Sequence, residues 1–276
     1  MKNFEQVAFT LCFIFYSAGI LFYCWYTLSC RSSIGLAATL TAGAGLAANT
    51  LAMTAHAVSA GRLPLTSGYE FLLDFAWGIV LLYLVFEFRT KIKIVGILVL
   101  PVAWAILGII AVLMPASQKV TGPLMPALKS NWLTIHVVTV ICAYGGFTLA
   151  FGLAFMLLWG KRLYSAFHID PNQLDRLCYR AIAFGFLLLT MAIISGSIWA
   201  EKAWGSYWSW DPKETWSLVT WLIYGAYLHA RKTREWQGRP AAVMAVAGFL
   251  AMLFTFFGVN YMLPGLHSYS QLAIGR

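Results

Sequence analysis

Apolar residues run along this chain in blocks rather than in alternating stripes. The blocks lie near 7–28, 34–57, 68–88, 92–113, 131–159, 181–199, 215–230 and 241–262. A bilayer core of roughly 30 Å takes about 20 apolar helical residues to cross. The pattern therefore predicts an all-α integral membrane protein of about eight transmembrane helices. The fifth block is long enough to tilt or to project. The seventh is short in apolar length and opens in a stretch dense in tryptophan. The first, from Met1 to Leu28, has one Lys and no small-residue cleavage site, and reads as a retained span rather than a signal peptide.

Composition sharpens this picture. Of the 276 residues 61% are hydrophobic and 11% charged, with a mean hydropathy of +0.74. A soluble domain carries roughly 25% charged residues. A disordered chain, a disulfide scaffold and a nucleic-acid-binding domain are all excluded. The five cysteines, Cys12, Cys24, Cys30, Cys142 and Cys178, form neither a CxxC pair nor a CxxCH haem-attachment motif. No repeat, low-complexity tract or linker interrupts residues 1–276, so a single polytopic domain is expected.

The net charge of +9 then sets an orientation. With eight spans, one side holds Arg31, Arg89, Lys91, Lys93, Lys161, Arg162, Arg176, Arg180, Arg231, Lys232, Arg234 and Arg239. The other holds Lys2, Arg62, Lys119, Lys129, Lys202, Lys213 and Arg276. The positive-inside rule puts the first side in the cytoplasm. Both termini and the loop near 200–214, between spans six and seven, are then extracytoplasmic.

That loop carries the chemistry. Residues 199–221 read WAEKAWGSYWSWDPKETWSLVTW and contain Trp199, Trp204, Trp208, Trp210, Trp216 and Trp221, half of the 12 tryptophans, with Tyr207 as a further ring. An interfacial aromatic belt is the plain alternative, but a belt spreads over all helix ends. Closely spaced indoles, separated by Gly205, Ser206 and Ser209, would make a flat shelf for a large planar apolar ligand. Asp211, Pro212 and Glu214 stand at the N-cap, N1 and N3 positions of a helix start.

Imidazole is a common metal ligand. His136, just inside the outer end of span five, and His267, beyond the outer end of span eight, fall at the depth of this loop. His229 closes span seven on the cytoplasmic side, on one face with Gly225 and Trp221, where Gly225 leaves room for a planar ring. His56 ends span two, and His168 lies in a charged cytoplasmic loop as an ordinary solvated residue. Two imidazoles flanking an aromatic shelf fit a bis-His haem site. An apolar-substrate transporter and a quinone site remain open on this reading.

The run WGSYWSWDPKETWSLVTWLIYGAYLHAR resembles the WWD signature of the haem-handling proteins of cytochrome c maturation, and within them the CcsA/ResC type of the System II cytochrome c synthase. Pro64, Tyr69-Glu70-Phe71, Asn131-Trp132, His136 and Gly265-Leu266-His267-Ser268-Tyr269 belong to the same resemblance. It covers a core of 64–272, with 1–60 as two more variable spans. The resemblance implies haem b as the transported substrate, held over Trp204, Gly205, Tyr207, Trp208, Trp210, Asp211 and Trp216. It makes His136 and His267 the outer axial ligands and His229 an inner one.

The resemblance also implies a bacterial cytoplasmic or thylakoid membrane and a separate ResB-like membrane partner. Apocytochrome c with its CxxCH thiols is the acceptor, and thiol-reducing proteins act indirectly. Thioether formation would then be promoted by positioning haem, with no catalytic group separate from the haem site. A haem-delivery protein of CcmC type, which forms no covalent bond, is the alternative within the family.

Overall fold

The computed structural model describes residues 2–119 and 126–263, and all regular structure among them is helical. The elements are α1 (Lys2–Ser29), α2 (Ser32–Ala60), α3 (Gly68–Thr90), α4 (Gly96–Val112), α5 (Asn131–Trp159), the short α6 (Lys161–Ala166), α7 (Pro171–Trp204), α8 (Pro212–Thr233), α9 (Arg239–Leu253) and α10 (Val259–Met262). One turn of π-helix, Phe254–Gly258, joins α9 to α10.

Each of the eight apolar blocks becomes a helix. Six of these are long and apolar enough to cross a membrane: Asn3–Ser29, Ser32–Ala60, Gly68–Thr90, Asn131–Trp159, Pro171–Trp204 and Arg239–Gly258. The two that fall short do so for different reasons. Helix α4 is apolar but has 17 residues. Helix α8 has 22 residues, but it opens on a polar first turn containing Lys213 and Glu214 and closes on Arg231 and Lys232.

The chain forms two compact units. One comprises residues up to 125 together with Gly160–Asp170; the other comprises Pro126–Trp159 together with residues from Pro171 onward. In the first unit α1 packs along α2, and α4 packs on α1 and α3. Ala38, Ala42, Gly45, Ala48, Ala52 and Ala55 are buried on one side of α2. Small residues at three- and four-residue spacing let neighbouring backbones approach, which is how spanning helices pack when lipid supplies no hydrophobic contrast.

Polar clusters close both ends of this unit. At one end Glu87 accepts hydrogen bonds from Tyr23 (2.6 Å), Tyr83 (2.7 Å), Thr39 and Lys93 (2.8 Å). At the other, the chain leaves α2 through the turn at Gly61 and enters α3 through a capping box of Ser67 and Glu70.

In the second unit α5 is the central helix, packed against α7 and α9, while α8 packs on α9 and α7. The seam is aromatic: Phe147 stacks on Tyr224 with centroids 3.8 Å apart, and Phe151 on Phe249 at 4.2 Å. One end of α8 is fastened by Arg231, which donates to Asp175 at 2.6 Å and to the Trp236 carbonyl at 2.9 Å. Asp175 also accepts the Gly238 N–H at 2.9 Å, tying the α8–α9 connection down.

Candidate functional site

The tryptophan-rich window folds as the end of α7, a connection over 205–211 and the start of α8. Trp204 is the last residue of α7, so the connection is shorter than the sequence suggests. Helix α7 stops at Gly205, whose φ of +78° suits a residue without a Cβ. Trp210 also has a positive φ, +58°, a conformation uncommon for a bulky residue.

The expected start of α8 is present. Asp211 caps the helix, Pro212 follows, and Glu214 completes the capping box. One carboxylate oxygen of Glu214 accepts the N–H of Asp211 (3.2 Å) and both the N–H (2.8 Å) and hydroxyl (3.2 Å) of Ser209. This single carboxylate folds the back half of the connection onto the helix, and an anion at a helix N-terminus is favoured by the helix dipole.

The rings do not form one flat shelf. Trp199 is buried, donates its indole N–H to the Ala127 carbonyl at 2.9 Å and meets Trp204 edge-on at 4.8 Å. Trp208 meets Trp210 edge-on at 5.8 Å, with the planes 87° apart. Edge-to-face contact is the arrangement the ring quadrupole favours between neighbours. Trp216 packs on Phe254 at 4.3 Å. Trp221 donates to Thr190 at 2.9 Å and stacks on Phe186. Of the six indoles, Trp199, Trp216 and Trp221 are thus engaged in packing the unit. Trp210 and Tyr207 are 68% and 61% exposed. The Trp208 N–H is buried with no hydrogen-bond partner, a donor left for something else to satisfy.

His136 lies on the second turn of α5. Its Nδ1 is 2.7 Å from the Ala192 carbonyl on α7, and a carbonyl can only accept. Nδ1 therefore carries the proton. Gly196, one turn beyond Ala192, makes this approach possible: a Cβ there would stand 2.6 Å from Nδ1. Gly196 precedes Trp204 by about 12 Å of helix, so the imidazole lies roughly two turns below the aromatic connection.

The other histidines divide. His267 lies outside the described residues. His229 is exposed near the end of α8, and a Cβ on Gly225 would make ordinary contact with Phe186 at 3.5 Å. His168 is exposed. Sequence reasoning found no role for His56, yet it is buried, with Nδ1 2.8 Å from Glu5 and Nε2 3.0 Å from Glu70. Charged residues at the rims of three apolar blocks were the available signal.

The structure also places two further cations. Arg62 forms a two-pronged pair with Glu70, at 2.9 and 2.8 Å. The Lys213 ammonium donates to Asn260 of α10 at 3.0 Å and lies over the Phe256 ring. Lys129 and Lys202 are exposed and flank the Trp199–Ala127 bond.

Long apolar helices with polar clusters at their ends define a polytopic membrane protein, and the connection 205–211 leaves Tyr207 and Trp210 exposed. Comparison with known proteins identifies the family. Residues 65–267 match the model of the cytochrome c assembly protein family. The "Cytochrome c biogenesis protein CcsA" of Porphyra purpurea is 38% identical over 77% of this chain and 80% of its own length. That of Prochlorococcus marinus NATL1A is 39% identical over 76% and 77%, and that of Gloeothece citriformis PCC 7424 is 34% identical over 98% of both.

Among solved structures, a "Cytochrome c Heme Lyase CcmF" superposes with a TM-score of 0.71 at 16% identity, covering 94% of this chain and 50% of that one, which shows a shared fold. The chain belongs to the cytochrome c assembly protein family and resembles its CcsA members. It is an integral membrane protein of cytochrome c biogenesis.

Proposed function

We propose that this protein carries haem to the extracytoplasmic face and presents it there to apocytochrome c, with His136 and His267 as axial ligands beside the connection 205–211. The observation that carries this reading is the state of His136. Metal-ligating histidines characteristically donate their second ring N–H to a carbonyl or carboxylate, which fixes tautomer and ring orientation. His136 has that arrangement through Ala192. The buried Trp208 N–H suits a polar substituent of the macrocycle, and the exposed faces of Trp210 and Tyr207 suit its apolar plane.

Haem here is the substrate. Each CxxCH thiol adds across a vinyl group, forming a C–S bond while the thiol hydrogen goes to the other vinyl carbon, so no external oxidant enters. The protein holds the iron, turns the vinyl edge outward and lets the apocytochrome histidine replace one axial ligand. This is catalysis by positioning. His229 marks an inner haem position about one membrane thickness away. A ResB-like partner supplies the opposing ligand there. Lys129 and Lys202 are the exposed cations nearest the aromatic connection and would face the propionates.

The test is co-expression with a ResB-like partner and a CxxCH reporter. Wild-type protein should purify with low-spin haem and give covalently haem-stained reporter. His136→Gly should lose both, and added imidazole should restore part of the haem. Unchanged haem content and reporter staining in that variant would remove His136 as a ligand. Haem in the protein with an unlabelled reporter would favour delivery without bond formation.

A further inference from the structure

The first unit contains a buried acid that haem handling does not use. Asp74 lies one turn past Glu70 on α3, is 1% exposed, and neither carboxylate oxygen has a hydrogen-bond partner. Glu70 is its opposite. That side chain accepts from Arg62, Thr66 and the Ser67 N–H as well as facing His56. An ionised carboxylate inside a span needs donors or a counter-ion, and without them the neutral acid is the stable form.

The surrounding charges lead to the same conclusion. Helix α1 contributes Glu5, Cys12 and Tyr16, α2 contributes Asn49 and His56, and Arg62 comes from the turn between α2 and α3. Helix α4 has no titratable residue. Lys119, on the 3-10 turn that touches α3, is the remaining charge there among the described residues. His56 and Arg62 are already engaged by Glu5 and Glu70, so an ionised Asp74 would have no cation paired with it among the described residues.

We propose that Asp74 is an intramembrane proton-binding site, held as a neutral carboxylic acid on α3. Its two oxygens are buried without a donor or a cation, whereas Glu70 one turn earlier has both of its oxygens taken by His56, Arg62, Thr66 and Ser67. A proton is the smallest group that neutralises such a carboxylate in place. Only a proton is bound, and no electron is exchanged.

Infrared spectroscopy of the full-length protein in nanodiscs tests this. At neutral pH the wild type should show the C=O stretching band of a protonated carboxyl that shifts in D2O. The band should vanish in Asp74→Asn and move in Asp74→Glu, which keeps the test valid where the first variant fails to accumulate. Absence of the band in the wild type, or a band that appears only when sodium is withheld, overturns the proton site.

Discussion

The α2–α3 turn and the α7–α8 connection use the same local device to opposite ends. Each enters its helix through a capping box, Ser67 with Glu70 and Asp211 with Glu214. In the first, the box carboxylate also faces His56 and takes a guanidinium, so the polar groups are spent on one another. In the second, the box carboxylate takes backbone and hydroxyl donors of its own connection, and Tyr207 and Trp210 stay exposed. The two histidines follow suit. His56 is held between two carboxylates, whereas His136 is oriented by a neutral backbone carbonyl. One region fastens helices together; the other leaves Tyr207 and Trp210 exposed and, on the function proposed above, receives the ligand.

The largest effect is expected at Glu70. Glu70→Ala leaves Arg62 and the cap N–H groups without their acceptor. Breaking a buried pair by removing one partner costs about 3–5 kcal/mol. Thermal unfolding in detergent should move to markedly lower temperature, while protein that does fold should retain its haem. A variant as stable as the wild type would break the contrast between a fastening and a receiving region.

Next comes Gly196→Ala. Its Cβ would stand 2.6 Å from His136 Nδ1, so the ring must turn away from Ala192. Haem content should fall nearly as far as in His136→Gly, with only a small change in melting temperature. Normal haem content would mean that the ring orientation is irrelevant to the ligand.

Smaller effects should separate cap from rings in the connection itself. Asp211→Ala removes an N-cap, which costs about 0.5–2 kcal/mol of stability. The double Trp208→Ala, Trp210→Ala variant should lower haem retention and leave membrane insertion and melting unchanged. If the double variant keeps its haem, the rings are an interfacial belt.

Much of this was legible in the chain. Each apolar block marks a helix, and six of the eight have the length and apolarity to cross a bilayer, because hydrophobic length is written residue by residue. The helix start at Asp211 was equally plain, since capping needs only groups within three residues of one another. Asp74, a lone carboxylate in the apolar run Leu72-Leu73-Asp74-Phe75-Ala76, was passed over in the sequence reading, although an acid inside an apolar block was signal enough.

What the tertiary structure decided are the relations between helices. The Ala192 carbonyl is 56 residues from His136, and Glu5 is 51 residues from His56. Which groups meet depends on how each helix is rotated and how closely Gly196 lets α5 approach α7. The same holds for the indoles. Their enrichment is a property of the sequence, but their division into packed and open rings follows from where α7 and α9 stand beside them. Local hydrogen bonding and hydrophobic length are set by neighbours in the chain, whereas the state of a buried polar side chain is set by whichever distant backbone comes within 3 Å of it.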